Sequence, residues 1–156
     1  MEKTISPFSE IETIQKMGTL LKNFDVMMMI TLNESSRMHS RPMLMQKAEF
    51  NGRLWFFSND TSQKITDLRW NRQVHLIGFD PKLSQYVAVC GTGSMIRDRE
   101  RMKQLWKSEY QKWFPRGLFD PDLVLIEVQV DQVESWGPDH REFYQLPSLS
   151  AEPLAG

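Results

Sequence analysis

Asn51-Gly52 constrains this chain more than any other pair of residues. The dipeptide is the strongest short-range signal for a two-residue β-hairpin, because the favoured turn needs positive φ at both central residues. It separates two strand-like segments, 36–50 and 53–59 (RLWFFSN). A second hairpin-length connection, DPKLSQ, separates 73–80 (QVHLIGFD) from 86–97 (YVAVCGTGSMIR). Two more segments read as strands. One is 25–32 (DVMMMITL), followed by the turn NESS. The other is 123–136 (LVLIEVQVDQVESW), where Val124, Ile126, Val128 and Val130 alternate with polar residues. Strands joined by such short connections pair antiparallel. Six of them with few helices are better closed into a barrel than left with open edges. The expectation is a mainly β (α+β) chain, a six-stranded antiparallel barrel with flanking helices. A dinucleotide-binding layout is excluded, since strands and helices do not alternate regularly and G-x-G-x-x-G is absent.

The helices are few and have clear starts. Ser9 followed by Glu12 is a capping-box pattern. Ile11, Ile14, Met17, Leu21 and Phe24 then recur at helical spacing. A short helix is expected from about residue 62 to 70. Asp98 reads as the cap of a longer helix, RERMKQLWKSEYQKWF, with Met102, Leu105, Trp106 and Trp113 on its apolar side. The final stretch, GPDHREFYQLPSLSAEPLAG, has three prolines, two glycines and no clear period, so it reads as a tail. This gives a domain at 8–137 and a tail at 138–156.

The chain has 156 residues, the size of one domain. It should bury roughly 70% of its unfolded surface, enough for a core without metal or disulfide. Lys plus Arg total 19 and Asp plus Glu 20, so the basic footprint of a nucleic-acid partner is missing. One cysteine, Cys90, forms no internal disulfide and no Cys-rich zinc site. The apolar run from Val26 to Ile30 is too short to span a bilayer, and the N-terminus lacks a signal pattern. The expectation is a cytoplasmic protein with neither membrane nor nucleic acid as partner.

The chemistry concentrates in SNDTSQKITDLRWN, residues 58–71. A helix N-terminus presents free backbone N–H groups and a partial positive charge. Ser58, Asn59, Thr61 and Ser62 add donors there, and Lys64 adds a full charge in the first turn. Together they suit a phosphate. A lysine so early in a helix conflicts with the dipole by a few tenths of a kcal/mol, a conflict an anion removes. The competing reading is a capped surface helix with a solvated lysine. In SRMHSRPMLM, Arg37, His39, Arg41, Met43 and Met45 share one strand face. That face is basic at one end and apolar at the other, which suits a ligand with an anionic tail and an apolar body. Pro42 restricts this strand to an edge, a bulge or a bend. The histidines, His39, His75 and His140, make no metal motif, and His75 reads as a packed or edge histidine rather than a base.

Taken in order, SRPM (40–43), LWFFSNDTSQKITDLRWN (54–71), VAVCGTGSMIRDRE (87–100), WKSEYQKWFPRGLFDPDLVLIEV (106–128) and ESW (134–136) carry a family likeness. The chain resembles the pyridoxamine 5′-phosphate oxidase-like FMN-binding flavoproteins, and within them the general stress protein subgroup. The resemblance covers about residues 8–137. It implies a six-stranded split β-barrel and a homodimer with FMN at the interface. By that similarity Arg41 and Lys64 contact the flavin phosphate side, with Gln63 beside the lysine. Ser58 and its neighbour Phe57 lie on the third strand near the cofactor. Backbone around Pro42 and Met43 runs along the isoalloxazine ring. Trp106, Trp113 and Phe114 fall where the family's longer helix reaches the partner's cofactor, and Trp113 is counted among the cofactor-binding residues.

The sequence also departs from the oxidase pattern. The Arg-His-rich end that grips a substrate phosphate is represented only by His140-Arg141, so pyridoxamine phosphate is not the expected substrate. The position of the family's fifth-strand glutamine is matched by Gln85-Tyr86. Three functions remain in view. One is an FMN-dependent oxidoreductase of an unknown small molecule, drawing electrons from a nicotinamide or another reductant. The second is a stress protein that binds or stores flavin without turnover. The third is the same barrel holding a deazaflavin or haem.

Overall fold

The computed structural model describes residues 8–147. The elements run α1 (Glu10–Leu21), β1 (Val26–Leu32), β2 (Met38–Leu44), β3 (Arg53–Asn59), α2 (Gln63–Trp70), β4 (Gln73–Asp80), β5 (Gln85–Ile96), α3 (Arg99–Leu105), a 3₁₀ turn (Ser108–Lys112), β6 (Leu123–Trp136) and β7 (Arg141–Gln145). All strand pairs are antiparallel, in the order β2-β1-β4-β5-β6-β3, with β7 also on β6. The sheet curls until its end strands, β2 and β3, face each other. They do not form a ladder. At one end the seam is bridged by the Gln46 amide, which donates to the Trp55 carbonyl at 2.9 Å. This is the split of the barrel.

The strands follow from their patterns. In β6 the residues Val124, Ile126, Val128 and Val130 are buried at 0, 0, 0 and 2% exposure and fill the barrel with Phe56 from β3. The inward phase then shifts to Val133 and Ser135, because Cys90 and Gly91 on β5 face Gln132 and Val130 and leave Asp131 as an extra residue. That bulge lets two long strands bend around the barrel. Gly91 stands at the tightest point, where a Cβ would collide with the Gln129 carbonyl. A second apolar cluster lies outside the barrel. Trp55, Phe57, Leu123 and Leu125 on the outer face of β3 and β6 pack under Met102, Leu105 and Tyr110.

Four expectations are corrected. Asn51-Gly52 does turn the chain, with Gly52 at φ +103°, but it does not join paired strands. β2 is already paired to β1 through the Asn33–Arg37 turn, where the Asn33 side-chain oxygen accepts from the amides of Ser35 and Arg37 at 2.9 and 3.0 Å. β2 ends at Leu44, and Met45 and Phe50 then turn onto the core, which carries the chain across the barrel end to β6. The long helix after Asp98 stops at Leu105. Trp106 leaves helical geometry, and its ring meets Phe57 edge-on at 5.4 Å between ring centres, a tertiary contact that outweighs local propensity. Ile11 is 71% exposed, so the buried stripe of α1 is Met17, Leu20 and Leu21.

The fourth correction concerns the tail. Residues 141–145 form β7, which occupies the edge of β6 beyond β3 and makes a seventh strand. Leu146 follows it into the barrel core at 7% exposure. Residues 148–156 lie outside the described residues. Leu146→Ala is expected to lower the unfolding free energy by about 2 kcal/mol in urea denaturation, the lower end for a buried leucine. A dispensable tail would show no loss.

Candidate functional site

The outer aromatic cluster leaves a gap between β2, the end of β3, the start of α2 and the 3₁₀ turn. This gap is a half-open cavity of about 450 Å³. Its apolar walls are Val26, Leu44, Met43 and Pro42 on one side and Phe57, Tyr110, Trp113 and Phe114 on the other. Its polar end is Ser58, Asn59, Ser62 and Lys64, with Gln46 at the seam. The volume is within the usual range for a small-molecule site, and a few polar groups converging on an apolar slot is the usual chemistry of one.

Each part has a local cause. Ser58 closes β3 and is buried at 1% exposure, with its hydroxyl 3.1 Å from that of Ser62 and 3.2 Å from the Asn59 carbonyl it donates to. Asn59 caps the turn into α2, its side-chain oxygen accepting from the Thr61 amide at 3.0 Å and hydroxyl at 2.7 Å. Ser62 is the N-cap of α2 but makes no side-chain capping bond; the Ile65 amide donates to the Ser62 carbonyl at 3.1 Å, which leaves the Gln63 and Lys64 amides of the first turn as donors for a ligand. Lys64, half-buried in that turn, has no hydrogen bond or ion pair among the described residues. Its pKa is lowered, first by burial and second by the nearby charge of Arg41. Two like charges held together at a helix N-terminus make the end of the slot electropositive.

Arg41 lies behind this end. β2 is an edge strand, as Pro42 requires, and Arg41 and His39 point to the same side as buried Met43 and Met45. The Arg41 guanidinium donates to the Thr31 hydroxyl at 2.7 Å and to the Met29 carbonyl at 3.3 Å, and lies 3.5 Å from Asp67 Oδ2. Asp67 itself is fully buried. It accepts from Thr31 Oγ1 at 2.7 Å and from Gln63 Nε2 at 2.8 Å, and His39 Nδ1 lies 3.2 Å away. Burial works against its charge, but the bonds from Gln63, Thr31 and His39 outweigh that and hold its pKa below the usual carboxylate value.

Of the eight residues expected at a cofactor site, Pro42, Met43, Phe57, Ser58, Lys64 and Trp113 line this one cavity. Arg41 and Gln63 do not line it; both are bonded to Asp67 instead. Arg37 lies in the turn before β2, outside the strand. Trp106 packs on Phe57 rather than lining the cavity, while Phe114 reaches it. Gln85 turns into the core and donates to Ser135 Oγ at 2.9 Å, so it makes no wall here. Arg141 pairs with Glu134 at 3.0 Å on β7. His75 lies elsewhere on the sheet, its Nδ1 3.2 Å from Cys90 Sγ. Among the described residues no His/Cys/Asp/Glu cluster could hold a metal, and no helix is long and apolar enough to cross a membrane.

Sequence reasoning missed Tyr110 as a wall and Asp67 as a hub. The signal for Asp67 was a carboxylate inside the buried stripe Ile65-x-Asp67-Leu68, matched by Thr31 in phase with Met27 and Met29. Two polar residues in two apolar stripes are expected to meet, because each needs a buried partner.

The fold and the cavity define a class: an antiparallel split β-barrel bearing an aromatic-walled slot with a cationic end. The chain belongs to the pyridoxamine 5′-phosphate oxidase-like family, whose sequence profile matches residues 12–153. Comparison with curated proteins gave no match. Among solved structures it is similar to General Stress Protein 26 from Bacillus anthracis, with TM-score 0.72, 24% identity, and coverage of 86% of this chain and 97% of that one. It is similar to the general stress FMN/FAD binding protein from Xanthomonas citri, with TM-score 0.64, 23% identity, and coverage of 94% and 95%. A heme binding protein from Mycobacterium smegmatis has TM-score 0.67 at 13% identity, covering 90% of this chain and 60% of that one. At these identities the likeness establishes the split-barrel fold.

Proposed function

We propose that this chain is an FMN-binding flavoprotein and an oxidoreductase of a small molecule, working as a homodimer. The observation that carries the reading is Lys64, a half-buried cation with no side-chain partner among the described residues, at the end of an apolar slot. FMN matches that donor set, with a phosphate dianion at one end and a planar ring at the other. Lys64, the hydroxyls of Ser58 and Ser62 and the first turn of α2 would hold the phosphate. The backbone at Pro42 and Met43, with Phe57 and Trp113, would hold the ring and exclude water from its face. Bound there, FMN would supply the electron-transfer chemistry, which needs no acid or base from the protein. The likeness to the general stress FMN/FAD binding protein of Xanthomonas citri supports the same cofactor.

The homodimer is supported by the rim of the cavity. Val26 and Trp113 are 52 and 55% exposed there. From Val26 an apolar strip continues over Met28, Ile77, Phe79 and Tyr86 on the outer face of β1, β4 and β5, and Phe79 stacks on Tyr86 at 4.5 Å. A contiguous patch of this kind marks an interaction surface. A second copy lying on it would close the slot. Light scattering is expected to give a dimer. A monomer that still binds FMN tightly would remove this part of the reading.

A second reading, flavin binding without turnover, is supported by the same slot, since Lys64 and the aromatic walls account for holding the cofactor without calling for a second reactant. The two part on anaerobic mixing of the FMN-loaded protein with a reduced nicotinamide or a candidate substrate. Bleaching of the visible flavin bands within seconds supports the oxidoreductase. Unchanged bands across a panel of reductants support the binding protein.

The lowered pKa of Lys64 has a consequence for pH. Phosphate binding needs its charged form, so FMN affinity is expected to fall as pH rises through a value below lysine's ordinary 10.5. Lys64→Arg should move that fall to higher pH, since a guanidinium stays charged. Identical profiles for the two proteins would place the phosphate elsewhere.

A further inference from the structure

The geometry points to Asp67 as a positioning residue that sets the anion-binding end of the cavity by clamping the start of α2 to β1 and β2. The inference rests on the FMN reading and extends it to a residue that does not touch the cavity.

The two sides of the anion end come from different elements. Ser62 and Lys64, in the lining, belong to the start of α2, while Arg41, behind that end, belongs to β2 with the wall residue Pro42. Asp67 reaches both. One carboxylate oxygen takes Gln63 Nε2 from the first turn of α2. The other takes the Thr31 hydroxyl from β1 and lies within 3.5 Å of Arg41 and 3.2 Å of His39 on β2. Thr31 spends its one proton on Asp67, so its oxygen is left to accept from Arg41. The carboxylate thus fixes the guanidinium twice, by charge and through the oriented hydroxyl. With Arg41 held in place, its charge acts on Lys64 from a constant position, and Lys64 is the cation that lines the cavity.

The substitution Asp67→Asn separates this role from simple electrostatics, because the two predict opposite signs. Removing a negative charge near a phosphate site makes it more positive, which alone would tighten FMN binding. An asparagine, however, offers Thr31 and Arg41 only a neutral oxygen and turns its amide donor against Gln63 Nε2, so the guanidinium loses its ion pair and the start of α2 loses its bond to the hub. Positioning therefore predicts weaker binding, by about 10-fold or more, the worth of a hydrogen bond to a charged group. The effect should run through Arg41. In an Arg41→Ala background the same substitution should cost little, whereas independent damage would multiply.

The test is fluorescence titration of apo-protein with FMN for wild type, Asp67→Asn, Arg41→Ala and the double variant, with thermal unfolding of each apo-protein alongside. Weaker binding by Asp67→Asn that disappears in the Arg41→Ala background supports the clamp. Tighter or unchanged binding overturns it, and so does an equal loss in both backgrounds, which a merely structural role would give. If Asp67→Asn does not fold, Thr31→Val carries the test, since it keeps the shape and the carboxylate and removes only the hydroxyl between Arg41 and Asp67. It should weaken FMN binding, and unchanged affinity overturns the clamp. A wild-type protein that binds no FMN removes the cofactor reading together with this inference. A wild type that binds while the variants are unaltered removes the inference alone.

Discussion

Lys64→Glu is expected to weaken FMN binding by about 3 kcal/mol, roughly 100-fold, with little change in the thermal midpoint of the apo-protein. The two halves of that expectation have one cause. Lys64 has no hydrogen bond or ion pair to lose among the described residues, and its charge is opposed by burial and by Arg41. Its present environment therefore gains little from it. Early in α2 a glutamate even complements the helix dipole. The same glutamate would stand against a phosphate where the lysine neutralised it. A large affinity loss without a stability loss is the mark of a residue held for a ligand. Isothermal titration and thermal unfolding of the two proteins together check this. Equal affinities would return Lys64 to the role of a solvated surface residue.

Gly91→Val should act in the opposite way, through the fold alone. Gly91 sits at the β5 bulge, where a Cβ would meet the Gln129 carbonyl and the Val128 side chain. The Gln129 carbonyl belongs to the ladder between the two longest strands and cannot swing aside without breaking pairing. The larger side chain must therefore push β5 and β6 apart, at a cost of about 3 kcal/mol, the upper range for overpacking. Chemical denaturation should show the midpoint falling at constant slope. An unperturbed midpoint would mean that the bulge is not the tight point of the barrel.

Period and caps made the elements legible in the sequence, and the short DPKLSQ connection gave the β4–β5 pair; the partner of β3 was not legible. Val124 to Val130 alternate because one face fills the barrel, and Ser9 and Asp98 start their helices with the bonds their residue types favour. The partner of a strand is decided by distant residues. Asn51-Gly52 carries the local chemistry of a hairpin, yet β3 pairs with a strand some seventy residues on, since β2 is already held by β1. Likewise a helix-forming stretch breaks at Trp106 because its ring is bound to Phe57 across the outer cluster. The strand REFYQ was hidden between two prolines and is short, so only the free edge of β6 reveals it. At the site, Ser58 and Lys64 could be found from helix-start chemistry, and Pro42 and Met43 from strand parity and family likeness. Asp67 carried only a non-local signal, a carboxylate beside Ile65 and Leu68 to be matched with Thr31 between the methionines of another strand. Its partners Thr31 and His39 are 36 and 28 residues away, and no local period brings them together.

The most direct measurement is titration of the flavin-free protein with FMN, followed by the visible spectrum and by quenching of flavin fluorescence, in parallel with riboflavin. The slot described here requires saturable binding of FMN and much weaker binding of riboflavin, because riboflavin has the ring and lacks the phosphate that Lys64 would hold. Equal binding of the two would contradict the phosphate assignment. A protein that leaves both spectra unchanged would contradict the flavin site altogether.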